Sequence, residues 1–329
     1  MVKVYYDADA DLKVISDKTI AVVGYGNQGR AQALNMRDSG LNVIVGSIRD
    51  ESWDRAVEDG FKVYPISRAS GLAEIILFLL PDEVQPEVYN REVKENLSKG
   101  KALVFAHGYT IHYGFIKPPR DVDILLLAPR MIGTYVRELF QRGSGAPAFI
   151  SVGQDASGEG LRRVLALAKA IGATRVGVME LSFAEEAELD HFSEHYTVPV
   201  IFRAIQLGFE ALVEEGYTPE AVLLEMYASG ELAEVFRAAA KMGLYKQMSL
   251  HSTTSQYGTL TYSSRVMPDS AKGMIKEVIR EIKTGRFARE WQLEQQAGYP
   301  MFRRLKEEAL RHPINEVEER LRRMIRIEL

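Results

Sequence analysis

Two textures of apolar and polar positions divide the chain. From Thr19 to about Met179, short apolar runs alternate with amphipathic segments of helix length: Ile20-Ala-Val-Val, Val43-Ile-Val, Ile75-Ile-Leu-Phe-Leu-Leu, Leu103-Val-Phe, Ile124-Leu-Leu-Leu, Phe149-Ile-Ser-Val and Arg175-Val-Gly-Val. Strands that are apolar on both faces have no side to offer water, so the pattern predicts a parallel sheet with helices above and below. After Leu181 such runs disappear and long helical periodicity takes over. Ser182-Phe-Ala-Glu185 has the capping-box pattern, Thr218-Pro219-Glu220 puts a capping hydroxyl before a proline at the first helical position, and Gly216 is a helix stop. The expectation is an α/β domain of Rossmann type over residues 1–181 followed by an all-α domain over 182–329.

Composition narrows the partners. A chain of 329 residues, 46% hydrophobic, can bury the cores of two domains. Lys and Arg number 41 against 45 Asp and Glu, interspersed, so no basic stripe tracks a phosphate backbone and nucleic acid is not expected as a partner. The absence of cysteine removes disulfides, thiolate nucleophiles and iron–sulfur clusters, and leaves oxygen or imidazole to hold any metal. The opening Met1 to Ala10 lacks the apolar stretch of a signal peptide, and the longest apolar runs, Ile75 to Leu80 and Ile124 to Ala128, are too short to cross a bilayer. A cytoplasmic protein with no membrane partner is expected.

Gly24-Tyr25-Gly26-Asn27-Gln28-Gly29 directly follows the strand Ile20 to Val23 and opens the helical pattern Arg30-Ala-Gln-Ala-Leu-Asn-Met. That is the context a dinucleotide-binding loop requires, with glycines for the turn, for close approach of a pyrophosphate and for helix-to-strand packing. The second strand ends at Gly46-Ser47, without the acidic residue that usually takes the ribose 2′-hydroxyl of NAD. Ser47, Arg49 and Ser52 form instead a set able to contact a 2′-phosphate, which favours NADPH with NADH still possible. Asp50 and Glu51 lie between them, and Arg49 also reads as a solvated loop charge.

Glu186, Asp190 and Glu194 recur every four residues, so on a regular helix all three carboxylates share one face. They make either a solvent-facing acidic stripe or, through Asp190 and Glu194, oxygen ligands for one or two hard cations such as Mg²⁺. Glu225 and Glu231 supply a later acidic pair, with Ser229-Gly230 as a break between them. His107 follows the strand Ala102 to Ala106, where open α/β sheets bind their ligands. His191 and His195 flank the acidic row and read as neighbours or surface residues.

With these residues in hand, the sequence resembles the ketol-acid reductoisomerases (acetohydroxyacid isomeroreductases) of the short class I form. The resemblance runs nearly end to end, through Gly24 to Gly40, Leu80-Pro-Asp-Glu-Val-Gln85, Phe105-Ala-His-Gly-Tyr-Thr-Ile-His112, Asp190-His-Phe-Ser-Glu194, Gln256-Tyr-Gly258, Phe287-Ala-Arg-Glu-Trp291 and His312-Pro-Ile314. It implies conversion of 2-acetolactate or 2-aceto-2-hydroxybutyrate to 2,3-dihydroxy acids of branched-chain amino-acid synthesis, by alkyl migration on two Mg²⁺ ions and reduction by NADPH. It also implies a knotted helical domain in a homodimer or higher oligomer, with active sites shared between subunits. Carried over by position, Asp190 and Glu194 match the first metal pair, Glu231 and Glu225 the second, and Ser252 a substrate-binding serine. His107 matches a catalytic histidine near the nicotinamide, Arg130 stands where the family has a catalytic lysine, and Asp82 and Gln85 fall with the cofactor. Three departures cluster around the substrate pocket: the wider Glu225/Glu231 spacing, Ala128-Pro-Arg130 followed by Met-Ile-Gly-Thr134, and Ser252-Thr-Thr-Ser-Gln256. A simple keto-acid reductase and a non-catalytic dinucleotide-binding regulator remain as rival readings, although the latter would have no need of Asp190, Glu194 and Glu231.

Overall fold

The computed structural model describes residues 2–326. They divide into two compact units, Met1–Leu189 and Asp190–Leu329. In the first unit the strands are β1 (Val4–Tyr5), β2 (Thr19–Val23), β3 (Asn42–Gly46), β4 (Lys62–Tyr64), β5 (Ile75–Phe78), β6 (Ala102–Phe105), β7 (Asp123–Pro129), β8 (Ala148–Gln154) and β9 (Val178–Glu180). Between and after them lie α1 (Asn27–Asp38), α2 (Glu51–Glu58), α3 (Ile66–Leu72), α4 (Gln85–Val88), α5 (Tyr109–His112), α6 (Gly133–Gln141), α7 (Gly160–Ala170) and α8 (Phe183–Phe192).

The strands form one sheet in the order β1-β9-β8-β7-β6-β5-β2-β3-β4. Pairing from β2 to β7 is parallel, as the doubly apolar runs predict. Two antiparallel pairings, β7 with β8 and β1 with β9, correct the all-parallel expectation. The last strand also starts later than predicted, because Ala173–Arg175 is a 3₁₀ turn and Gly177 has a left-handed φ of 108°. Side chains of each strand alternate between two cores: Ile20, Val22, Leu77 and Val104 face one side, and Ala21, Val23, Phe78 and Leu103 the other.

Chain direction across the sheet reverses at β2, which has β3 on one flank and β5 on the other. In such sheets the crevice beyond the carboxyl ends of these strands is where ligands bind. By compactness one unit ends at Leu189 and the other begins at Asp190, because the first turns of α8 pack on the sheet. Phe183 is buried edge-on against Phe105, and Ser182 Oγ accepts the Glu185 amide as the expected cap.

The second unit is helical: α9 (Val198–Glu214), α10 (Pro219–Leu223), α11 (Glu231–Met242), α12 (Thr253–Val266), α13 (Lys272–Lys283), α14 (Arg286–Gln296), α15 (Pro300–Leu310) and α16 (Pro313–Met324). Gly216, at φ 90°, ends α9 as predicted, whereas the Thr218 hydroxyl makes no capping bond. A small core joins Phe209, Val222, Leu223, Val317 and Leu321. Large apolar side chains elsewhere face outward, among them Phe202, Leu207, Tyr257, Leu260 and Val266. Continuous helix over Phe183–Glu214 is long and apolar enough by composition to cross a membrane, and only 6% of its apolar window is buried. No unbroken apolar run signals it in the sequence, since charged residues interrupt it.

Candidate active site

Gly24, after β2, and Gly29, in the first turn of α1, each have a geometric reason to lack a side chain. Gly24 has φ 94°, and a Cβ there would lie 2.7 Å from the Leu79 carbonyl oxygen. At Gly29 a Cβ would lie 2.0 Å from the Gly24 carbonyl oxygen, so helix and strand could not pack. Over Gly26, the N-cap of α1, a Cβ would meet nothing within 4 Å. The loop thus leaves open space at a helix N-terminus, which is what a pyrophosphate needs. Gln28 Nε2 donates to the Met131 carbonyl at 2.7 Å, tying this loop to the one after β7. Tyr25 contributes backbone alone to this surface, because its side chain is buried against Phe61 and its hydroxyl donates to Asp59, which also takes two bonds from Arg30. Burial raises the Tyr25 hydroxyl far above its ordinary range, while the Arg30 bonds hold the Asp59 carboxyl below its own.

After β3, Ser47 is buried, Ser52 half-buried and Arg49 exposed, its guanidinium stacked 4.9 Å over the Trp53 ring. Asp50 is the N-cap of α2, its Oδ1 accepting the Ser52 and Trp53 amides at 3.0 and 3.1 Å. One oxygen of that carboxylate therefore already has a structural task as the cap of α2.

Beyond β5, β6 and β7 a second set of side chains gathers. His107 Nδ1 lies 2.6 Å from Asp82 Oδ2. An ionised carboxylate only accepts, so Nδ1 carries the proton and the ring's acid–base capacity rests with Nε2. Tyr109 stacks on the same imidazole, with centroids 5.9 Å apart and planes at 19°, and burial keeps its hydroxyl protonated. Gln85 Nε2 donates to the Leu80 carbonyl and to Asp82 Oδ1, and its Oε1 accepts from Thr110. Asp82 and Gln85 brace the loops on which His107 stands.

Glu186, one of the three carboxylates of the acidic row, is fully buried rather than part of a solvated stripe. Its Oε2 accepts the Gly108 amide at 2.7 Å and its Oε1 accepts from Arg130 Nη1 at 3.0 Å. One carboxylate from α8 thereby fixes both the turn after His107 and the guanidinium at the end of β7. Arg130 also lies over the Phe149 ring at 5.1 Å. Close by, His112 Nε2 approaches Glu188 at 3.5 Å, and burial lowers the His112 pKa against the pull of that carboxylate.

In the helical unit the acidic row is not one regular helix. α8 ends at Phe192 and a π turn, Ser193–Thr197, carries Glu194. Glu225 also sits in a π turn, Leu224–Ala228, while Glu231 opens α11 after Gly230, whose φ of 83° makes the predicted break. Such turns are uncommon and recur at functional sites. Asp190 is half-buried, and Glu194, Glu225 and Glu231 are exposed. Among the described residues of one chain, no group of three or more His, Asp or Glu side chains converges on a metal-sized site. Ser252 caps α12, its Oγ accepting the Ser255 amide. His191, which reads in the sequence as a surface neighbour, is buried and stacked on His195, whose pKa burial lowers.

Two family models divide the chain between them: "Acetohydroxy acid isomeroreductase, NADPH-binding domain" matches residues 14–177, and "Ketol-acid reductoisomerase, C-terminal domain" matches residues 183–327. A ketol-acid reductoisomerase (NADP(+)) of Methanocaldococcus jannaschii is 44% identical over 330 residues, covering 100% of this chain and 99% of its own. Its counterpart in Pyrobaculum aerophilum is 45% identical, covering 99% of each chain. Among solved structures, an NADH-preferring ketol-acid reductoisomerase from an uncultured archaeon superposes with a TM-score of 0.93 at 35% identity, over 98% of this chain and 99% of that one. Matched at this level along its whole length, the chain belongs to the ketol-acid reductoisomerase family.

Proposed function

We propose that the protein converts 2-acetolactate or 2-aceto-2-hydroxybutyrate to the 2,3-dihydroxy acid, using two Mg²⁺ ions and NADPH, as a cytoplasmic homodimer or higher oligomer. The observation that carries the reading is the convergence of the His107–Asp82 pair and the Arg130–Glu186 pair at the carboxyl edge of a sheet whose neighbouring strand bears an open glycine loop.

The oxygen donors Asp190 and Glu194 suit Mg²⁺, which prefers carboxylates and keeps several waters. Glu231, with Glu225, would complete the donor set from a second subunit. Outward-facing apolar side chains on α9 and α12 support such an assembly. Bound Mg²⁺ would supply Lewis acidity for the carbonyl and the adjacent hydroxyl, and NADPH the hydride for the keto acid that follows migration. This chain's own groups do the rest. Gly24 to Gly29 and the α1 N-terminus bind the pyrophosphate, and Arg49 with Ser52 takes the 2′-phosphate, since Asp50 is committed to its helix. His107, held by Asp82, takes or gives a proton at Nε2, and Arg130 offers its guanidinium to developing negative charge. Ser252 accepts its capping bond through Oγ, which leaves its O–H to donate to a substrate oxygen.

The deciding experiment supplies 2-acetolactate, Mg²⁺ and NADPH in one cuvette and a ready-made 2-keto acid in a second. Consumption of NADPH in both supports the two-step reading. Turnover of the keto acid alone would reduce the protein to a reductase. Mixing Asp190→Asn with Glu231→Gln subunits should then restore part of the lost activity, because one site of a mixed dimer carries neither lesion. No recovery after verified subunit exchange would refute the shared site.

A further inference from the structure

Asp190 and Glu194 lie on either side of a change in helical winding. α8 has ordinary spacing up to Phe192, and the π turn that follows spans one extra residue per hydrogen bond. Backbone periodicity therefore does not by itself fix how the Glu194 carboxylate is rotated relative to Asp190. Like charges at this spacing also repel before any cation arrives. A contact from outside this helix adds a constraint that the backbone winding lacks.

Each carboxylate is followed immediately by a histidine. His191 and His195 stack with centroids 5.1 Å apart and planes at 24°. Phe287, on α14, closes the group, its centroid 4.1 Å from His195 and 5.5 Å from His191. The base under Phe287 is firm: Ile282 near the end of α13 and Ala288 on α14 are both 2% exposed, and Gly285, at φ 66°, makes the turn between the two helices. Whatever rotation sets His195 on His191 sets Glu194 relative to Asp190, since each pair is offset by the same single residue along the same backbone.

We propose that the ring cluster His191–His195–Phe287 is a positioning device, which pins the π turn so that Asp190 and Glu194 present their carboxylates to a divalent cation in one fixed mutual orientation. The inference rests on the reading that these two carboxylates hold the metal. Its residues act through the helix that they clamp.

Mn²⁺ alone, titrated into the full-length assembled protein and followed by the electron paramagnetic resonance of the free ion, reads the site without turnover. Phe287→Leu and His195→Leu, which remove a ring, should weaken Mn²⁺ binding by about tenfold, the lower end of what outer supports of metal ligands contribute. His195→Phe keeps the stack, and the cavity of about 170 Å³ beside His195 leaves room for the larger ring; it should bind Mn²⁺ like the wild type. NADPH affinity, measured in parallel, should be unchanged in all three. Wild-type Mn²⁺ affinity in both ring-deleted variants would overturn the proposal, as would His195→Phe binding as weakly as His195→Leu. Should Phe287→Leu fail to fold, seen as loss of helical circular dichroism, the two His195 variants decide alone. Asp190→Asn is the separating control: if it leaves Mn²⁺ affinity untouched, the metal assignment fails, and if it weakens binding while the ring deletions do not, only the positioning role fails.

Discussion

Glu186→Gln tests the organisation of the site at one atom pair. The substitution preserves shape and leaves an oxygen able to accept the Gly108 amide, now bonded at 2.7 Å, but it turns an amide toward Arg130 and removes the charge. Hydrogen bonds to charged groups contribute about 1.5–3 kcal/mol. Breaking a fully buried ion pair costs about 3–5 kcal/mol. Glu186 is 0% exposed but the Arg130 side chain is 31% exposed, so water takes up part of the loss and the lower range applies. A destabilisation of about 2 kcal/mol follows, which for a domain of this size lowers Tm by roughly 4–8 °C. The kinetic effect should be larger than the thermal one implies, because the lost bonds orient two groups at the site. A misplacement worth about 1.4 kcal/mol in the transition state is already tenfold in kcat. NADPH affinity, measured by fluorescence titration, should not change, since the Gly108 amide and Arg130, which Glu186 holds, lie outside the glycine loop. Wild-type Tm and kcat together would refute this account, and a fall in NADPH affinity matching the fall in kcat would place the defect at the cofactor instead.

Three further outcomes are expected. Replacing Arg49 and Ser52 together by Asp should lower kcat/KM for NADPH by tenfold or more, from about 1.5–3 kcal/mol of charge-assisted bonding, while NADH use holds or improves; equal losses with both cofactors would disprove the 2′-phosphate assignment. Gly29→Ala should abolish NADPH binding and lower Tm, because its methyl group would sit 2.0 Å from the Gly24 carbonyl oxygen, and a variant that binds normally would mean that the loop relaxes freely. His112 has a folded pKa below its ordinary 6.5, so the fold holds its neutral form; the stability this contributes is complete above pH 6.5 and is lost as pH falls through that value toward the folded one. His112→Gln, neutral throughout, should flatten the acid limb of a urea-denaturation series against pH, and an unchanged limb would assign the loss to other groups.

Much of the first unit was legible because its signals are local. The three glycine roles at Gly24, Gly26 and Gly29 follow from a strand, a turn and a helix that are contiguous in sequence, and the close approaches at Gly24 and Gly29 match the turn and packing roles. Doubly apolar strands announce a covered sheet in the same way. The two-residue β1 and three-residue β4 carry too little pattern to register, and the reversal of β8 depends on where the chain re-enters the sheet rather than on its own composition. Tyr25 shows the limit of reading a motif by position: it stands inside the cofactor loop, yet its ring belongs to the core.

The acidic row shows why charge spacing alone cannot separate a surface from a site. Glu186, Asp190 and Glu194 have identical chemistry and equal intervals, and each meets a different fate. Glu186 is drawn inward because its partners, the Gly108 amide and Arg130, lie 78 and 56 positions upstream, a separation that no window of sequence spans. Asp190 stands at the first residue of the other unit, and Glu194 lies beyond the point where the winding changes. That change has no residue signature comparable to a glycine turn or a proline break. It is held by ring contacts to Phe287, whose position nearly a hundred residues downstream becomes relevant only once α13 and α14 have packed. The same reasoning applies to Glu225 and Glu231. Their six-residue interval would put them on well-separated faces of a regular helix, but a π turn at one and a left-handed glycine before the other remove that constraint. An irregular spacing is therefore no argument against a shared ligand role, and Glu225→Gln, run in the subunit-mixing assay in place of Glu231→Gln, reads directly whether the wider interval has kept that carboxylate at work.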